Sequence, residues 1–250
     1  LGGKIMKHSY YKTINKKFGQ AIADYQMIQD GDQIAVGLSG GKDSVLLLWL
    51  LTRLQRIAPV DFKLKAITLD LGWGSNFAGL VEFCHQLNVP FYLEVTAIGR
   101  IVFEERQESN PCSLCAHLRR GALNNLAKKL KCNKVALAHH ADDAVETLLM
   151  SMFYEGRITT FLPNTYLTRQ NLRVIRPLVY IREAVIQEAV TNLKLPLVDN
   201  FCPANGRTKR QVIKEIIADL EQKIPGVFAR LQGSLKNIDT HQLWKAKHNI

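Results

Sequence analysis

The sequence predicts an α/β fold: a doubly wound parallel sheet of about five strands, with an N-terminal helix before it and a C-terminal helical section after it. Two observations predict this. Short apolar runs at 34–38, 63–69, 90–95, 134–138 and 172–175 read as strands buried on both faces rather than as half-exposed, alternating ones. Segments with helical apolar spacing separate them, and strand–helix alternation builds parallel units with crossover helices. Such sheets bind ligands beyond the carboxyl ends of their strands. The loops after Leu38, Leu69, Val95 and Ala138 are therefore the places to look for chemistry.

Residues 4–30 read as a basic amphipathic helix, with Lys7, Lys12, Lys16 and Lys17 among Tyr10, Tyr11, Phe18 and Ile22; Asp30-Gly31-Asp32 breaks it. Helices follow the first strand at 45–57 and the second at 77–88, where apolar residues recur at 80, 83, 84 and 87. Further helices are expected at 112–130, 141–153 and 181–193. From Pro196 the composition turns loop-like through Asp199-Asn200-Phe201-Cys202-Pro203, and helical sequence resumes at 208–238 with a break at Pro225-Gly226. The expected organisation is a basic helix (1–30), a nucleotide-binding α/β domain (31–198) and a C-terminal segment (199–250).

Of 250 residues, 47% are hydrophobic and 22% charged, a globular composition that argues against disorder. Lys and Arg number 33 against 22 acids, a net charge of +11. That balance favours a polyanionic partner, nucleic acid before anionic lipid, against the plain alternative of a soluble basic surface. The longest apolar run, 45–51, is too short to cross a bilayer, and Leu1-Gly2-Gly3-Lys4 opens no secretory signal. A cytoplasmic protein without membrane contact is expected. Its five cysteines then fit free thiols or a metal site better than a disulfide framework.

Ser39-Gly40-Gly41-Lys42-Asp43-Ser44 stands between a buried strand and a helix start. Two glycines let successive N–H groups face one concavity, and a helix N-terminus adds partial positive charge. Ser39 and Ser44 supply hydroxyls, Lys42 a formal charge, and Asp43 a place for Mg²⁺ or a backbone turn. The spacing is neither Walker A nor the dinucleotide glycine pattern. After the fourth strand comes His139-His140-Ala141-Asp142-Asp143. Two His and two Asp suit a two-metal phosphoesterase. Next to a phosphate loop they suit better an ATP site, with Asp142 or Asp143 near Mg²⁺ and His139 or His140 lining it; helix capping by Asp142 is the structural alternative. Asp70, ending the second strand, is placed to approach a nucleotide or to accept a turn hydrogen bond.

Cys112 and Cys115 follow Ser109-Asn110-Pro111, a capping and first-turn sequence. Both thiols then lie on one side of a helix start, where the dipole and Arg119 and Arg120 favour thiolates. A lone C-x-x-C reads as a redox pair, half a zinc site or half an iron–sulfur site. Cys202 is a third thiol in a distant loop, whereas Cys84 and Cys132 read as core residues. Three thiolates suit three irons of a [4Fe–4S] cluster and leave the fourth iron open to a sulfur species.

Together these residues resemble the tRNA 2-thiocytidine synthetase (TtcA-type) family of the PP-loop ATP pyrophosphatase superfamily, over nearly the whole chain. Its pieces are Leu38 to Ser44, Cys112 and Cys115 with Leu118-Arg119-Arg120-Gly121, the His139 to Asp143 run, Met152-Phe153-Tyr154, Ile175-Arg176-Pro177-Leu178, Cys202 and Arg210-Gln211-Val212. The resemblance implies an adenine nucleotide alpha hydrolase-like fold and an ATP site at Leu38, Ser39, Gly40, Gly41, Lys42, Asp43, Ser44, Asp70 and His139. It implies catalytic roles for Asp43, Asp142, Asp143 and Arg119, and cluster ligation by Cys112, Cys115 and Cys202. ATP and Mg²⁺ would activate the C2 oxygen of cytidine 32 in tRNA, sulfur would come from a cysteine desulfurase or another donor, and a homodimer is left open. Two departures concern the loop Leu71-Gly72-Trp73-Gly74-Ser75-Asn76 and Asp199, where some members place a cysteine.

Rival readings are a 2-thiouridine synthetase, whose extra C-x-x-C pairs are missing here, and a lysidine synthetase, which leaves three thiols unexplained. A non-catalytic metal-containing RNA-binding protein and a small-molecule amide ligase are the others. The two tRNA-binding surfaces expected are the N-terminal lysines and the helix carrying Arg119, Arg120, Lys128, Lys129 and Lys131.

Overall fold

The computed structural model describes residues 2–106, 111–198, 209–239 and 241–242, with side chains from Tyr11 onward. Cys202, Asp199, Ser109 and Asn110 lie outside the described residues, as does the side chain of Lys7. The chain divides into two compact units, Leu1–Asp142 with Phe161–Arg207, and Asp143–Thr160 with Thr208–Ile250.

The first unit opens with α1 (Gly2–Asp24). Ile14, Phe18 and Ala21 are buried along one side, while Lys12, Lys16 and Lys17 are exposed, as the amphipathic reading requires. The helix ends at Asp24, earlier than the break at Asp30. Gln26 takes a positive φ of 47° and the Met27 N–H turns back to the Ile22 carbonyl at 2.9 Å. The chain then runs through β1 (Asp32–Gly37), α2 (Lys42–Gln55), β2 (Phe62–Asp70), α3 (Ala78–Gln86), β3 (Phe91–Val95) and α4 (Ile98–Arg100), which continues as a π-helical segment, Ile101–Arg106. There follow α5 (Pro111–Lys129), β4 (Lys134–Ala136), α6 (Ala141–Glu155), β5 (Asn164–Leu167), β6 (Leu172–Ile175) and α7 (Glu183–Leu193).

The strands form one sheet in the order β3-β2-β1-β4-β6-β5. The five expected strands are all parallel, with Val36 of β1 opposite Ala66 of β2 and Ala136 of β4. The sixth, β5, pairs antiparallel with β6 at the edge and was not expected. It has four residues, too few to display a period, and Pro163 precedes it. Strand order reverses between β1 and β4: the chain adds β2 and β3 on one side of β1, then crosses to the other. That reversal opens a crevice at the carboxyl ends of β1 and β4, the place where doubly wound sheets bind ligands.

Burial explains why the strands were readable. Ile34, Ala35 and Val36 are fully buried, and α2 packs between the sheet and α7 with Val45, Leu46, Leu47, Leu48, Leu50 and Leu51 inside. Cys84 joins this core and Cys132 a second cluster behind the sheet. Burial pushes the Cys84 thiol up to about 12 and raises that of Cys132 against the opposing charge of Lys65, which fits core thiols.

In the second unit, the greater part of α6 joins α8 (Lys209–Lys223) and α9 (Val227–Ser234). Buried Glu146 receives Arg210 at 2.7 Å and Lys214 at 3.8 Å. Burial raises the Glu146 pKa, opposed by the Arg210 hydrogen bond. The break at Pro225-Gly226 is present, and the Glu221 carboxylate accepts the N–H groups of Gly226 and Phe228 at 2.8 and 2.9 Å. Among the described residues, no helix is long and apolar enough to cross a membrane.

One ion pair is fully inside the first unit. Lys134 Nζ lies 2.6 Å from Asp32 Oδ2 and donates to the Met27 carbonyl at 3.0 Å. Asp32 also accepts Asn133 Nδ2 at 2.8 Å and the Gln29 N–H at 2.6 Å. Both side chains are 3% exposed, so removing one partner strands a buried charge. Lys134→Met should lower unfolding stability in urea by roughly 3–5 kcal/mol. The double change with Asp32→Asn should recover much of the loss; equal losses in both would contradict the pairing.

Candidate active site

The β1 ladder extends one residue past the strand, with the Leu38 N–H donating to the Ile67 carbonyl at 2.8 Å. Buried Thr68 Oγ1 caps the same turn by donating to the Leu38 carbonyl at 2.7 Å. The chain then reverses into α2. Gly40 takes φ +82°, and a Cβ there would come within 2.6 Å of Val198 Cβ. The Val198 N–H donates to the Gly40 carbonyl at 3.0 Å, and the Val198 side chain held there occupies the space a Cβ at Gly40 would need. Only glycine meets both demands.

The serines hold the loop from within. Ser44 Oγ donates to the Gly41 carbonyl at 2.9 Å and accepts the Ser39 N–H at 3.1 Å, with Ser39 Oγ also 3.1 Å away. Ser39 Oγ accepts the Gly41 N–H at 3.4 Å. The Ser44 N–H turns back to the Gly41 carbonyl at 3.1 Å, and the helix dipole adds positive charge at the start of α2. Ser39 and Gly41 are exposed while Ser44 is buried, so the concavity faces outward over a fixed base.

Lys42 Nζ lies 2.9 Å from Glu183 Oε1 and 3.4 Å from Asp43 Oδ2. Burial works against its charge, but the Glu183 hydrogen bond and the two carboxylates outweigh it and raise its pKa. Glu183 opens α7, and its backbone N–H donates to Asp142 Oδ2 at 2.7 Å. Asp142 Oδ1 accepts Arg182 Nε at 3.0 Å. Asp142 therefore fixes the start of α7, the capping alternative raised by the sequence, although on another helix than its own. Asp143 pairs with Arg210 at 3.1 Å in the second unit. Of the two histidines, His140 is the one beside Asp43: its Nε2 is 3.9 Å from Asp43 Oδ1 and its Nδ1 3.8 Å from Asp142 Oδ2. His139 packs its ring on Phe161 with centroids 5.0 Å apart. Asp70 Oδ1 accepts the Gly72 N–H at 2.9 Å, so it serves the turn after β2.

Among the described residues no group of three or more His, Cys, Asp or Glu is arranged to hold a metal ion. Cys112 and Cys115 lie one turn apart at the start of α5, Cys112 exposed and Cys115 buried. Cys115 packs with Leu71, Ile98 and Val102, and Trp73, Phe103, Leu114 and Leu118 flank the group. The loop at 71–76 is thus part of the wall around this thiol. Gly99 lets it close in, since a Cβ there would overlap the Leu71 carbonyl and the Trp73 ring. Leu71 follows β2 and Ile98 follows β3 by a few residues, so the thiol pair starts at the carboxyl edge that also carries the Ser39–Ser44 loop. Arg119 and Arg120 are exposed further along α5, and Lys128, Lys129 and Lys131 are exposed at its end.

Sequence reasoning missed Arg182, Glu183 and Val198. Glu183 and Val198 meet the loop only through tertiary contact, Glu183 across 141 positions, and Arg182 meets Asp142 across 40. The only local hint was an acidic residue in the first turn of an expected helix.

Comparison with known proteins follows the same lines. The PP-loop domain family matches residues 10–220. A tRNA-cytidine(32) 2-sulfurtransferase of Pelobacter propionicus is 41% identical over 237 residues, covering 93% of this chain and 88% of that protein. One of the same name from Geobacter sulfurreducens is 40% identical, covering 93% and 92%. Among solved structures, the U34-tRNA thiolase NcsA from Methanococcus maripaludis with its [4Fe-4S] cluster superposes with a TM-score of 0.76 at 24% identity, over 96% of this chain and 82% of that one; this likeness speaks for the fold. With the Ser39–Ser44 loop on the strand where the sheet order reverses and relatives that align over 93% of its length, this chain belongs to the PP-loop domain family and, within it, to the tRNA-cytidine(32) 2-sulfurtransferase family of enzymes.

Proposed function

We propose that the chain is an ATP-dependent sulfurtransferase that converts cytidine 32 of tRNA to 2-thiocytidine in the cytoplasm. The observation that carries the reading is the placement of a phosphate cradle and a cysteine pair on the same carboxyl edge of one sheet. A nucleotide-binding loop alone would serve any adenylating enzyme; the thiols point to sulfur.

The loop at 38–44 binds the triphosphate of ATP through backbone N–H groups, with Lys42 held charged and in place by Glu183. Asp43, on the first turn of α2, is the carboxylate suited to Mg²⁺, which takes one or two carboxylates together with phosphate oxygens. His140 and Asp142 hold that side of the crevice in shape; Asp142 acts through the start of α7. The cytidine C2 oxygen attacks the α-phosphorus, the bond to the β-phosphate oxygen breaks, and pyrophosphate leaves into the cradle. A sulfur nucleophile then attacks C2, and AMP departs carrying the original oxygen. Cys112 and Cys115, one turn apart with one in an apolar wall and one at the surface, fit two positions of a three-thiolate set that Cys202 completes. A [4Fe–4S] cluster on that set would supply an iron open to a sulfur species. Arg119, four residues after Cys115 and seven after Cys112, shares their helix face and is proposed to contact the target nucleotide or its phosphate. The exposed lysines of α1 and of the end of α5 attract the tRNA backbone. A cysteine desulfurase is the proposed sulfur source.

Anaerobic protein given ATP, Mg²⁺, a tRNA transcript, cysteine and a desulfurase should release AMP and pyrophosphate and yield 2-thiocytidine in nucleoside mass spectrometry. Release of ADP and orthophosphate would overturn the mechanism. Asp43→Ala should cut turnover by about 10²–10³ without a matching loss of melting temperature.

Iron content tests the thiol assignment separately. Anaerobic protein should carry iron, Cys202→Ala should lose it, and Cys84→Ala should keep it. Equal loss in both variants, or stoichiometric zinc without iron, would contradict the ligand set.

A further inference from the structure

The edge hairpin of β5 and β6 turns at residues 168–171. The Gln170 N–H donates to the Leu167 carbonyl at 3.0 Å, and Asn171 takes a positive φ of 48°. Tyr166 Oη donates to Asn171 Oδ1 at 2.6 Å, and the Arg173 guanidinium lies over the Tyr166 ring at 5.3 Å. Tyr166, Thr168, Arg169, Asn171 and Arg173 are all exposed. The tip is therefore braced from within while both arginines stay open to solvent.

Packing ties this hairpin to α5. Asn124 Nδ2 donates to Gln170 Oε1 at 2.8 Å, and Leu172 shares an apolar cluster with Leu123 and Ala127. The Arg173 N–H donates to the Asn133 carbonyl at 3.0 Å, just past the end of α5. Ala35 of β1 belongs to the same cluster, whereas Ile34 and Val36 belong to the core that holds α2. Alternate residues of a strand point to opposite faces, so α5 and α2 cover opposite faces of the sheet.

Charge follows the same route. Residues 111–141 contain no Asp or Glu, and neither do residues 164–182. The first stretch exposes Arg119, Arg120, Lys128, Lys129 and Lys131, and the second exposes Arg169 and Arg173. Among the described residues none of these cations forms an ion pair. Cys112 to Lys129 covers about 25 Å of helix at roughly 1.5 Å per residue. The hairpin thus lengthens, at the far end of α5, a basic face that begins beside the thiol pair. Like charges gathered on one face without acids repel one another, and a polyanion lying along them relieves that repulsion.

We infer that the β5–β6 hairpin is an RNA-binding arm: a stem lies along α5 from the thiol pair towards Arg169 and Arg173, which contact its phosphates. Contact through the backbone suits a duplex RNA, whose base edges are poorly accessible to side chains in the deep groove. Naming the RNA as tRNA rests on the function proposed above; the basic face itself does not.

The test is a binding measurement and needs no turnover. Wild type, Arg169→Gln and the double variant Arg169→Gln with Lys128→Gln are titrated with a tRNA transcript and with a generic RNA duplex over a range of salt. Arg53→Gln, on α2 at the opposite face, is the control. All three positions are exposed, so the substitutions leave the fold intact. Arg169→Gln should weaken tRNA binding by roughly three- to tenfold. It should also flatten the salt slope by about 0.7–0.9, and the double variant by about twice that. Arg53→Gln should change neither. An unchanged slope in Arg169→Gln, or an equal fall in Arg53→Gln, would overturn the arm. Binding of phosphatidylserine vesicles that Arg169→Gln abolishes while both RNA slopes hold would assign the face to a membrane instead. If wild type binds the duplex but not tRNA, the function proposed above fails, and the duplex slope of Arg169→Gln still decides the arm. Binding of neither RNA by wild type would overturn both.

Discussion

The structure depends on one backbone reversal. Between Leu38 and Lys42 the chain leaves a largely buried central strand of the sheet and begins a helix that is itself mostly buried. The reversal succeeds because Gly40 accepts φ +82° and has no side chain where Val198 comes in. Once it is made, several consequences follow together. Ser39 and Gly41 stay exposed, Ser44 is buried beneath them, and Lys42 and Asp43 reach Glu183 and His140. The hydrogen bond from Val198 also ties the segment after α7 to the loop, so α7 and its Asp142-held start are fixed relative to the phosphate cradle.

Charge is organised differently at the two ends of this edge. Around the loop each cation has a carboxylate: Lys42 has Glu183 and Asp43, and Arg182 has Asp142. These pairs leave the loop itself to the backbone dipoles, which suits an anion. Along α5 the cations Arg119, Arg120, Lys128 and Lys129 are exposed. The exposed cations of α1 and α5 are part of the overall surplus of +11.

Much of this was legible in the sequence, for physical reasons that differ by element. The five parallel strands announced themselves because strands buried on both faces need apolar residues at consecutive positions, as in Ile34-Ala35-Val36. The phosphate loop was legible because its geometry is local: glycines, a serine pair and a helix start within six residues. Cys84 and Cys132 were placed in the core from their apolar neighbours, and both are buried. The short antiparallel β5 was not legible, since its partner rather than its own pattern makes it a strand. Asp142 could be read as a cap or as an active-site acid until α7 was placed against it. Glu183 and Val198 carry no local sign of their contacts. The loop at 71–76 carries no local sign of its role, and only the packing of Leu71 and Trp73 in one cluster with Cys115 gave it a place.

The central claim is that ATP activates the cytidine oxygen itself, and an isotope follows that atom directly. A tRNA carrying ¹⁸O at C2 of cytidine 32 should be thiolated with the label recovered in the phosphate of AMP. Label found instead in water, orthophosphate or pyrophosphate would mean that the oxygen never bonded to the α-phosphorus, and the account of this site as an adenylating sulfurtransferase would be wrong.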